Sequence, residues 1–167
     1  MKYSIVYTSR TGNTLKLAET IKENLNPEDC LYYGPLADEA LDADLIYVGF
    51  WTDKGRADDT TLEFLKKIRN KKLFIFGTCG FGKEQSYFDK VIATTCKSID
   101  DSNEVVGTFI CQGKMPQAVR DKYVEMKKRA FHMPNIDQLI ENFDSALSHP
   151  DYIDLAKLIT EVENSNN

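Results

Sequence analysis

The stretch at residues 3–14 constrains the fold most, because it joins an apolar run to a polar loop and then to a helical pattern. Ile5, Val6 and Tyr7 are typical of a β-strand, and apolar residues recur at helical spacing over residues 17–25. A helix that begins after such a loop directs its unpaired N–H groups and the positive end of its dipole into the loop. The sequence therefore predicts a strand, an anion-binding loop and a helix.

The loop at residues 8–14 contains four hydroxyl residues. Ser9, Thr11 and Thr14 can add hydroxyl donors, while Gly12 permits a left-handed turn and Asn13 tolerates such turns or caps helices. The alternative interpretation is an ordinary strand-to-helix turn with a Ser/Thr cap, but a cap needs only one or two hydroxyl residues. The composition of the loop favours a phosphate site.

Four further apolar segments predict strands. The runs at residues 45–50, 72–77 and 105–111 lack polar alternation, as expected for parallel strands covered on both faces, and residues 30–33 suit a short edge strand. Apolar residues at helical spacing predict further helices within residues 58–68, 88–99, 116–130, 136–147 and 150–162. This alternation predicts an α/β fold with an open, doubly wound, five-stranded parallel sheet and helices on both faces.

Composition limits the class of protein. With 167 residues and 42% apolar residues, we expect one domain over residues 1–163, followed by a frayed tail at 164–167. No apolar run approaches the roughly 20 residues of a membrane span, and the N-terminus lacks a signal-peptide core, so a cytoplasmic protein is expected. The four cysteines form no C-x-x-C pair, and the net charge of −5 argues against non-specific nucleic-acid binding.

Three unusual loops follow strands at the predicted carboxyl edge of the sheet, at residues 8–14, 50–56 and 78–82. Open parallel sheets bind ligands outside this edge, so the loops should converge on one ligand. Trp51 and Phe81 suit the sandwiching of a flat ring, although each by itself is also compatible with a rim or core position. A phosphate loop beside ring-binding aromatics indicates a mononucleotide-like cofactor.

Other chemical signals are weaker. Residues 77–84 nearly match a nucleotide P-loop, but Glu84 replaces the hydroxyl that should bind magnesium, which disfavours triphosphate binding. No G-x-G-x-x-G follows the first strand, so a dinucleotide site is not supported. Cys79 is interpreted as a packing residue rather than a reactive thiol, and His132 and His149 as loop or helix-cap residues rather than metal ligands.

The motif Ser-Arg-Thr-Gly-Asn-Thr at residues 9–14 resembles the T/S-x-T-G-x-T phosphate loop of flavodoxins. The stretches V-G-F-W-T-D-K-G, F-G-T-C-G-F-G and F-I-C-Q-G-K-M-P are similar to a short flavodoxin-like subfamily, some members of which are linked to bacterial bilirubin reduction. This resemblance covers almost the whole chain. It implies FMN as cofactor and the strand order 2-1-3-4-5.

The resemblance also implies roles for the three loops. The first would bind the FMN phosphate, Trp51 would stack on the isoalloxazine ring, residues 52–55 would face its N5 edge, and the third loop would hold its pyrimidine side. The implied cofactor-binding residues are Ser9, Arg10, Thr11, Gly12, Asn13, Thr14, Phe50, Trp51, Thr52, Asp53, Lys54, Gly55, Thr78, Cys79, Gly80, Phe81 and Gly82. Residues 112–135 look like an added helix, which favours a dedicated partner.

The resemblance implies a carrier that passes electrons from a reductase to an acceptor enzyme, which in this subfamily points to a bilirubin reductase. The alternative is an FMN-dependent NAD(P)H oxidoreductase, or a subunit of one, acting on a quinone or tetrapyrrole; a third interpretation is an FMN-sensing binding module. Asp58 and Asp59 suit helix-start or partner-docking charges. A solvated helix face or a docking surface for an acidic partner would explain the basic residues Lys114, Arg120, Lys122, Lys127, Lys128 and Arg129.

Overall fold

A computed structural model describes all 167 residues and shows a five-stranded parallel sheet with one short additional strand. The strands are β1 (Tyr3–Tyr7), β2 (Cys30–Pro35), β3 (Leu45–Asp53), β4 (Arg56–Ala57), β5 (Lys72–Cys79) and β6 (Glu104–Gln112). The order is β2-β1-β3-β5-β6, and each neighbouring pair is parallel. With the short β4 set aside, this order confirms the predicted 2-1-3-4-5 arrangement.

Six α-helices connect or follow the strands. They are α1 (Asn13–Glu23), α2 (Asp59–Lys67), α3 (Gln85–Cys96), α4 (Gln117–Lys127), α5 (Ile136–Ala146) and α6 (Tyr152–Ser165). Asp58 caps α2 by accepting a hydrogen bond from Thr61 N–H, and Asp151 begins α6 with a reciprocal capping box to Asp154. None of the helices combines the length and apolarity that a membrane span requires.

Two apolar cores lie on opposite faces of the sheet. On one face, Val48 packs with Leu65 of α2, and α3 completes the cluster. On the other face, Tyr47 packs with Leu17 of α1 and Leu158 of α6. Because successive strand residues point to opposite faces, one uninterrupted apolar strand supplies both cores. The prediction of helices on both faces is therefore confirmed.

Helices α4 and α5 contribute no residue to either core and pack against each other. Arg120 of α4 donates two hydrogen bonds to the carboxylate of Asp144 on α5, at 2.7 and 3.2 Å. Hydrogen bonding to this guanidinium lowers the pKa of Asp144. The two helices form an antiparallel pair added after the last strand of the sheet.

The second loop is a β-hairpin, whereas the sequence predicted an irregular polar loop at residues 50–56. β3 continues to Asp53 and pairs with the antiparallel β4. Lys54 and Gly55 have φ values of 54° and 79°, the positive sign that a type I′ two-residue turn needs at both positions. Trp51 and Thr52 are therefore strand residues.

Two other segments predicted as irregular are regular. β5 extends through Cys79, so Thr78 and Cys79 are buried at the end of a strand. α6 continues to Ser165, three residues past the predicted end at Val162, whose side chain packs in the core. The tail predicted to fray at 164–167 therefore begins within this helix. Asn166, in the same tail, accepts a hydrogen bond from the Tyr47 hydroxyl at 3.5 Å.

Candidate functional site

The three predicted loops meet at one edge of the sheet, because β1, β3 and β5 are parallel neighbours. They border a cavity of about 290 Å³. The predicted site residues that line it are Arg10, Thr11, Asn13, Trp51, Thr52, Asp53, Lys54, Thr78, Gly80 and Phe81. The tertiary structure therefore brings together side chains from all three segments.

In addition to the three loops, the segment that follows β6 forms a fourth wall of the cavity. It consists of Gly113, Lys114, Met115, Pro116 and Val119. None of these residues was predicted from the sequence to bind the cofactor. Only the position of this segment could have indicated its role, because it follows a strand at the same carboxyl edge as the three loops.

The first loop forms an anion nest at the start of α1. Gly12 caps the helix with a left-handed φ of 88°. Ser9 Oγ accepts hydrogen bonds from Gly12 N–H at 3.1 Å and from Leu15 N–H at 3.3 Å. Two backbone donors and the helix dipole thus converge on one oxygen atom, which is the arrangement that binds a phosphate oxygen.

Thr14 is buried and holds the loop in place. Its Oγ1 donates to Phe50 O at 3.0 Å and lies 3.1 Å from Thr78 Oγ1. Phe50 is itself fully buried in the core. Thr14 and Phe50 therefore connect α1 to the sheet and do not line the cavity.

A buried carboxylate connects the first loop to α2. Asp58 is only 4% exposed and caps α2. Its Oδ1 also accepts hydrogen bonds from the hydroxyls of Thr8 and Thr61, both at 2.7 Å. The sequence indicated the helix-start role of Asp58, but not the bond to Thr8, because that residue lies 50 positions earlier.

Asn13 connects the first loop to the fourth wall. Its Nδ2 donates to Thr11 Oγ1 at 3.0 Å and to Lys114 O at 2.8 Å. A Cβ atom on Gly113 would lie 2.6 Å from that same nitrogen, so this close approach requires glycine. Lys114 N–H in turn donates to His149 O at 2.9 Å, which fixes the start of the segment that leads to α4.

Trp51 and Thr52 line the cavity from the end of β3. The guanidinium carbon of Arg10 lies 5.2 Å from the centre of the Trp51 ring, within the range of a cation–π contact. Thr52 Oγ1 is buried and has no hydrogen-bond partner. Thr52 pairs with Ala57, which packs in the core, so this hydroxyl is enclosed by the protein and points away from the Trp51 ring.

The third loop is held by α5 from outside the cavity. Asn142 Nδ2 donates to Phe81 O at 2.6 Å. Cys79 lies in the core, which agrees with its interpretation as a packing residue, and burial raises the pKa of the neighbouring Tyr87 to about 12. The predicted site residues that do not line the cavity are Ser9, Gly12, Thr14, Phe50, Gly55, Cys79 and Gly82.

Two other features lie outside the loops. His149, Asp151 and Asp154 cluster at the start of α6, where His149 Nδ1 lies 2.6 Å from Asp154 Oδ2. The two carboxylates form the capping box, and the hydrogen bond from Asp154 N–H is the main cause of the lowered pKa of Asp151. A larger cavity of about 570 Å³ runs along the open edge of β6, and no residue of the three loops lines it.

Comparison with known proteins gives a match over nearly the whole chain. The model of the flavodoxin domain family matches residues 4–163. A flavodoxin-like domain-containing protein BilS from Clostridium symbiosum (strain WAL-14163) is 38% identical over 173 aligned residues, covering 93% of this chain and 91% of that protein. A protein of the same name from Clostridioides difficile (strain CD3) is 37% identical, with 90% and 88% covered.

Solved structures share the fold at low sequence identity. Oxidised flavodoxin 1 from Bacillus cereus has a TM-score of 0.56 and 14% identity, covering 99% of this chain and 97% of that one. Oxidised flavodoxin 2 from the same organism has a TM-score of 0.52 and 19% identity, with 94% and 99% covered. The family match, the two relatives and the sheet order lead to the same conclusion: this chain belongs to the flavodoxin family.

Proposed function

We propose that this protein binds FMN in the cavity between the three loops and carries electrons from a reductase to an acceptor enzyme. The family and the fold support this function. The observation that carries the proposal is one cavity that Arg10, Thr11 and Asn13 of the first loop line together with Trp51 of β3 and Phe81 of the third loop. Bound FMN would supply reversible redox chemistry, while the protein supplies its position and surroundings.

At the phosphate end, the groups of this chain suit a dianion. The N–H groups of Gly12 and Leu15, which donate to Ser9 Oγ, would donate to a phosphate oxygen instead. The hydroxyls of Ser9 and Thr11 would then act as donors. Arg10 lines the same cavity and supplies positive charge.

Hydrogen bonds within the protein hold both ends of the first loop. Asp58 accepts from the Thr8 hydroxyl, and Thr14 donates to Phe50 O, so both ends of the loop are fixed by buried hydrogen bonds. Binding therefore requires little additional ordering of the backbone, which favours affinity.

At the ring end, the cavity offers apolar walls. Trp51, Met115 and Val119 would exclude water from the ring. No histidine or cysteine lines this cavity, so the residue types that titrate near neutral pH are not placed beside the ring. This favours an electron carrier over an enzyme that transfers protons through its own side chains.

The similarity to short flavodoxin-like proteins linked to bilirubin reduction makes a bilirubin reductase the acceptor enzyme that we propose. A second candidate function is an FMN-dependent NAD(P)H oxidoreductase, or a subunit of one, that acts on a quinone or tetrapyrrole. The fourth wall favours this candidate, because Met115 and Val119 add an apolar surface against which a flat substrate would pack.

Tryptophan fluorescence tests the cofactor directly. Trp51 is the only tryptophan of the chain, so its emission reports on this cavity. FMN should quench it with one equivalent per chain, and riboflavin, which lacks the phosphate, should bind at least about tenfold more weakly, since each hydrogen bond to a charged group contributes about 1.5–3 kcal/mol. Equal affinities would contradict the phosphate nest, and no quenching by either flavin would contradict FMN binding.

Anaerobic photoreduction of the FMN-loaded protein then separates the two functions. A carrier should take up electrons in two separate one-electron steps and remain oxidised when mixed with NAD(P)H alone. An oxidoreductase should be bleached by NAD(P)H alone and should turn over with a quinone or tetrapyrrole. Reduction by NAD(P)H without a reductase would therefore replace the carrier with the second candidate.

A further inference from the structure

The α4 arm, which we define as residues 114–133, is a positively charged part of a negatively charged protein. It holds six basic and two acidic residues, whereas the rest of the chain holds 15 basic and 24 acidic residues. Arg120, Lys127 and Lys128 form ion pairs with Asp144, Asp137 and Glu125. The remaining cations, Lys114, Lys122 and Arg129, are exposed and have no carboxylate partner within the chain.

The tip of the α4 arm adds an apolar contact to these charges. Every residue from 127 to 135 is exposed. Phe131 is 98% exposed and Met133 is 42% exposed, and Arg129 lies beside them. At this tip, His132 Nδ1 lies 3.0 Å from Arg129 O, within hydrogen-bond distance. Aromatic and arginine side chains are enriched among the residues that contribute most of the binding energy in protein interfaces.

The base of the same arm is part of the cofactor cavity. Met115, Pro116 and Val119 line the cavity, and Lys114 O accepts a hydrogen bond from Asn13 of the phosphate loop. α5, which packs along the arm, donates from Asn142 to Phe81 O of the third loop. A protein bound along the arm would therefore sit beside the walls that enclose the ring.

We infer that the α4 arm docks an acidic redox partner protein. This inference rests on the proposed function and adds the surface chemistry of the partner: carboxylates for Lys114, Lys122 and Arg129, and an apolar recess for Phe131. An anionic membrane fits the arm less well than an acidic protein does, because the extended negative potential of the membrane would also repel the acidic remainder of the chain. A protein interface covers a limited area, and charges beyond about 10 Å are screened at 0.1 M salt.

The test uses two electron acceptors that share one haem but differ in surface charge. They are native cytochrome c, which is basic, and cytochrome c whose lysines have been succinylated into carboxylates. Photoreduced FMN-loaded protein is mixed with each, and one electron passes from the reduced flavin to the ferric haem. Lys122→Glu combined with Arg129→Glu should lower the rate constant for the succinylated acceptor by about tenfold at low salt, and high salt should remove the difference.

The apolar part of the surface is tested by Phe131→Ala. This variant should slow the succinylated acceptor by about fivefold, with little dependence on salt, since a buried interface aromatic contributes upwards of about 1 kcal/mol. Tyr152→Ala removes another aromatic that is 80% exposed, but outside the arm, and should leave the rate unchanged.

A matched charge reversal provides the main control. Lys72 and Lys97 are exposed and lie at the end of the sheet opposite the loops, where β5 begins and α3 ends. Lys72→Glu with Lys97→Glu makes the same change in net charge and should alter the rate less than twofold. Equal slowing by both charge-reversed proteins would show that only net charge matters and would overturn the docking surface.

Four other results would also overturn it. Binding to phosphatidylserine vesicles that is lost in the arm variants would assign the arm to lipid. A concentration-dependent dimer that the arm variants abolish would assign it to a second copy of this chain. Absence of Trp51 quenching by FMN in the unmodified protein would reject the proposed function, and the docking inference with it. A protein that binds FMN normally, but reduces both acceptors regardless of the arm, would reject the docking surface alone.

Discussion

Replacement of Asp58 by alanine should destabilise the protein far more than replacement of its neighbour Asp59. Asp58 is buried, and its carboxylate accepts from Thr61 N–H at 3.2 Å and from the Thr8 and Thr61 hydroxyls at 2.7 Å. Loss of a helix cap costs about 1 kcal/mol, and each buried hydroxyl left without its acceptor costs about 1–3 kcal/mol. Thr8 Oγ1 and Thr61 Oγ1 lie 3.1 Å apart and can bond to each other, which offsets part of the loss.

We therefore expect Asp58→Ala to lower the free energy of unfolding by about 2–4 kcal/mol. For a chain of this length, that loss corresponds to a decrease in Tm of roughly 5–15 °C. Asp59 is the matched control, because its side chain is 78% exposed and forms a surface ion pair with Arg56. Asp59→Ala should cost less than about 0.5 kcal/mol.

Urea unfolding of the FMN-free proteins measures this difference. The midpoint should shift for Asp58→Ala, while the slope with denaturant stays the same. FMN affinity should also fall in Asp58→Ala, because Thr8 precedes the phosphate nest, and it should not change in Asp59→Ala. Equal stability of the two variants would show that the bonds to Thr8 and Thr61 do not hold the loop, and would refute the reasoning.

Three further predictions follow from single residues. Thr52→Val replaces the unpaired buried hydroxyl with a methyl group, so urea unfolding should show the FMN-free protein stabilised by about 1 kcal/mol, while fluorescence titration should show unchanged FMN binding, because this hydroxyl is enclosed by the protein. Gly12→Ala places a side chain at φ 88°, so it should destabilise the protein by about 1–2 kcal/mol in the same unfolding assay and weaken FMN binding. Burial raises the pKa of Tyr3 to about 12, with a smaller contribution from Cys30. Because an unfolded tyrosine ionises near pH 10, this stabilisation is present below about pH 10 and is lost between about pH 10 and 12; urea unfolding across this range should show a shallower decline for Tyr3→Phe.

Local patterns were sufficient for the strands of the sheet. The apolar runs at β3, β5 and β6 predicted buried parallel strands, which the structure contains. The phosphate site in the hydroxyl-rich loop before α1 stays a prediction, and there the structure shows two backbone N–H groups that donate to Ser9 Oγ. The hairpin at Lys54 and Gly55 was missed, although a polar residue before glycine between two strands is its signal. Residues 50–56 were interpreted as a loop because β4 is too short to show a period of two.

Sequence alone determined which segments form strands and helices, and that a hydroxyl-rich loop lies between β1 and α1, because these properties depend on residues within a few positions of one another. Only the tertiary structure decided which loop residues face the cavity: Phe50, Cys79 and Thr14 are drawn into buried packing and hydrogen bonds, while Met115 and Val119 enter from a distant segment. The bond between Asp58 and Thr8 spans 50 residues. Contacts of this kind depend on how strands are ordered and helices are docked, which no local pattern encodes.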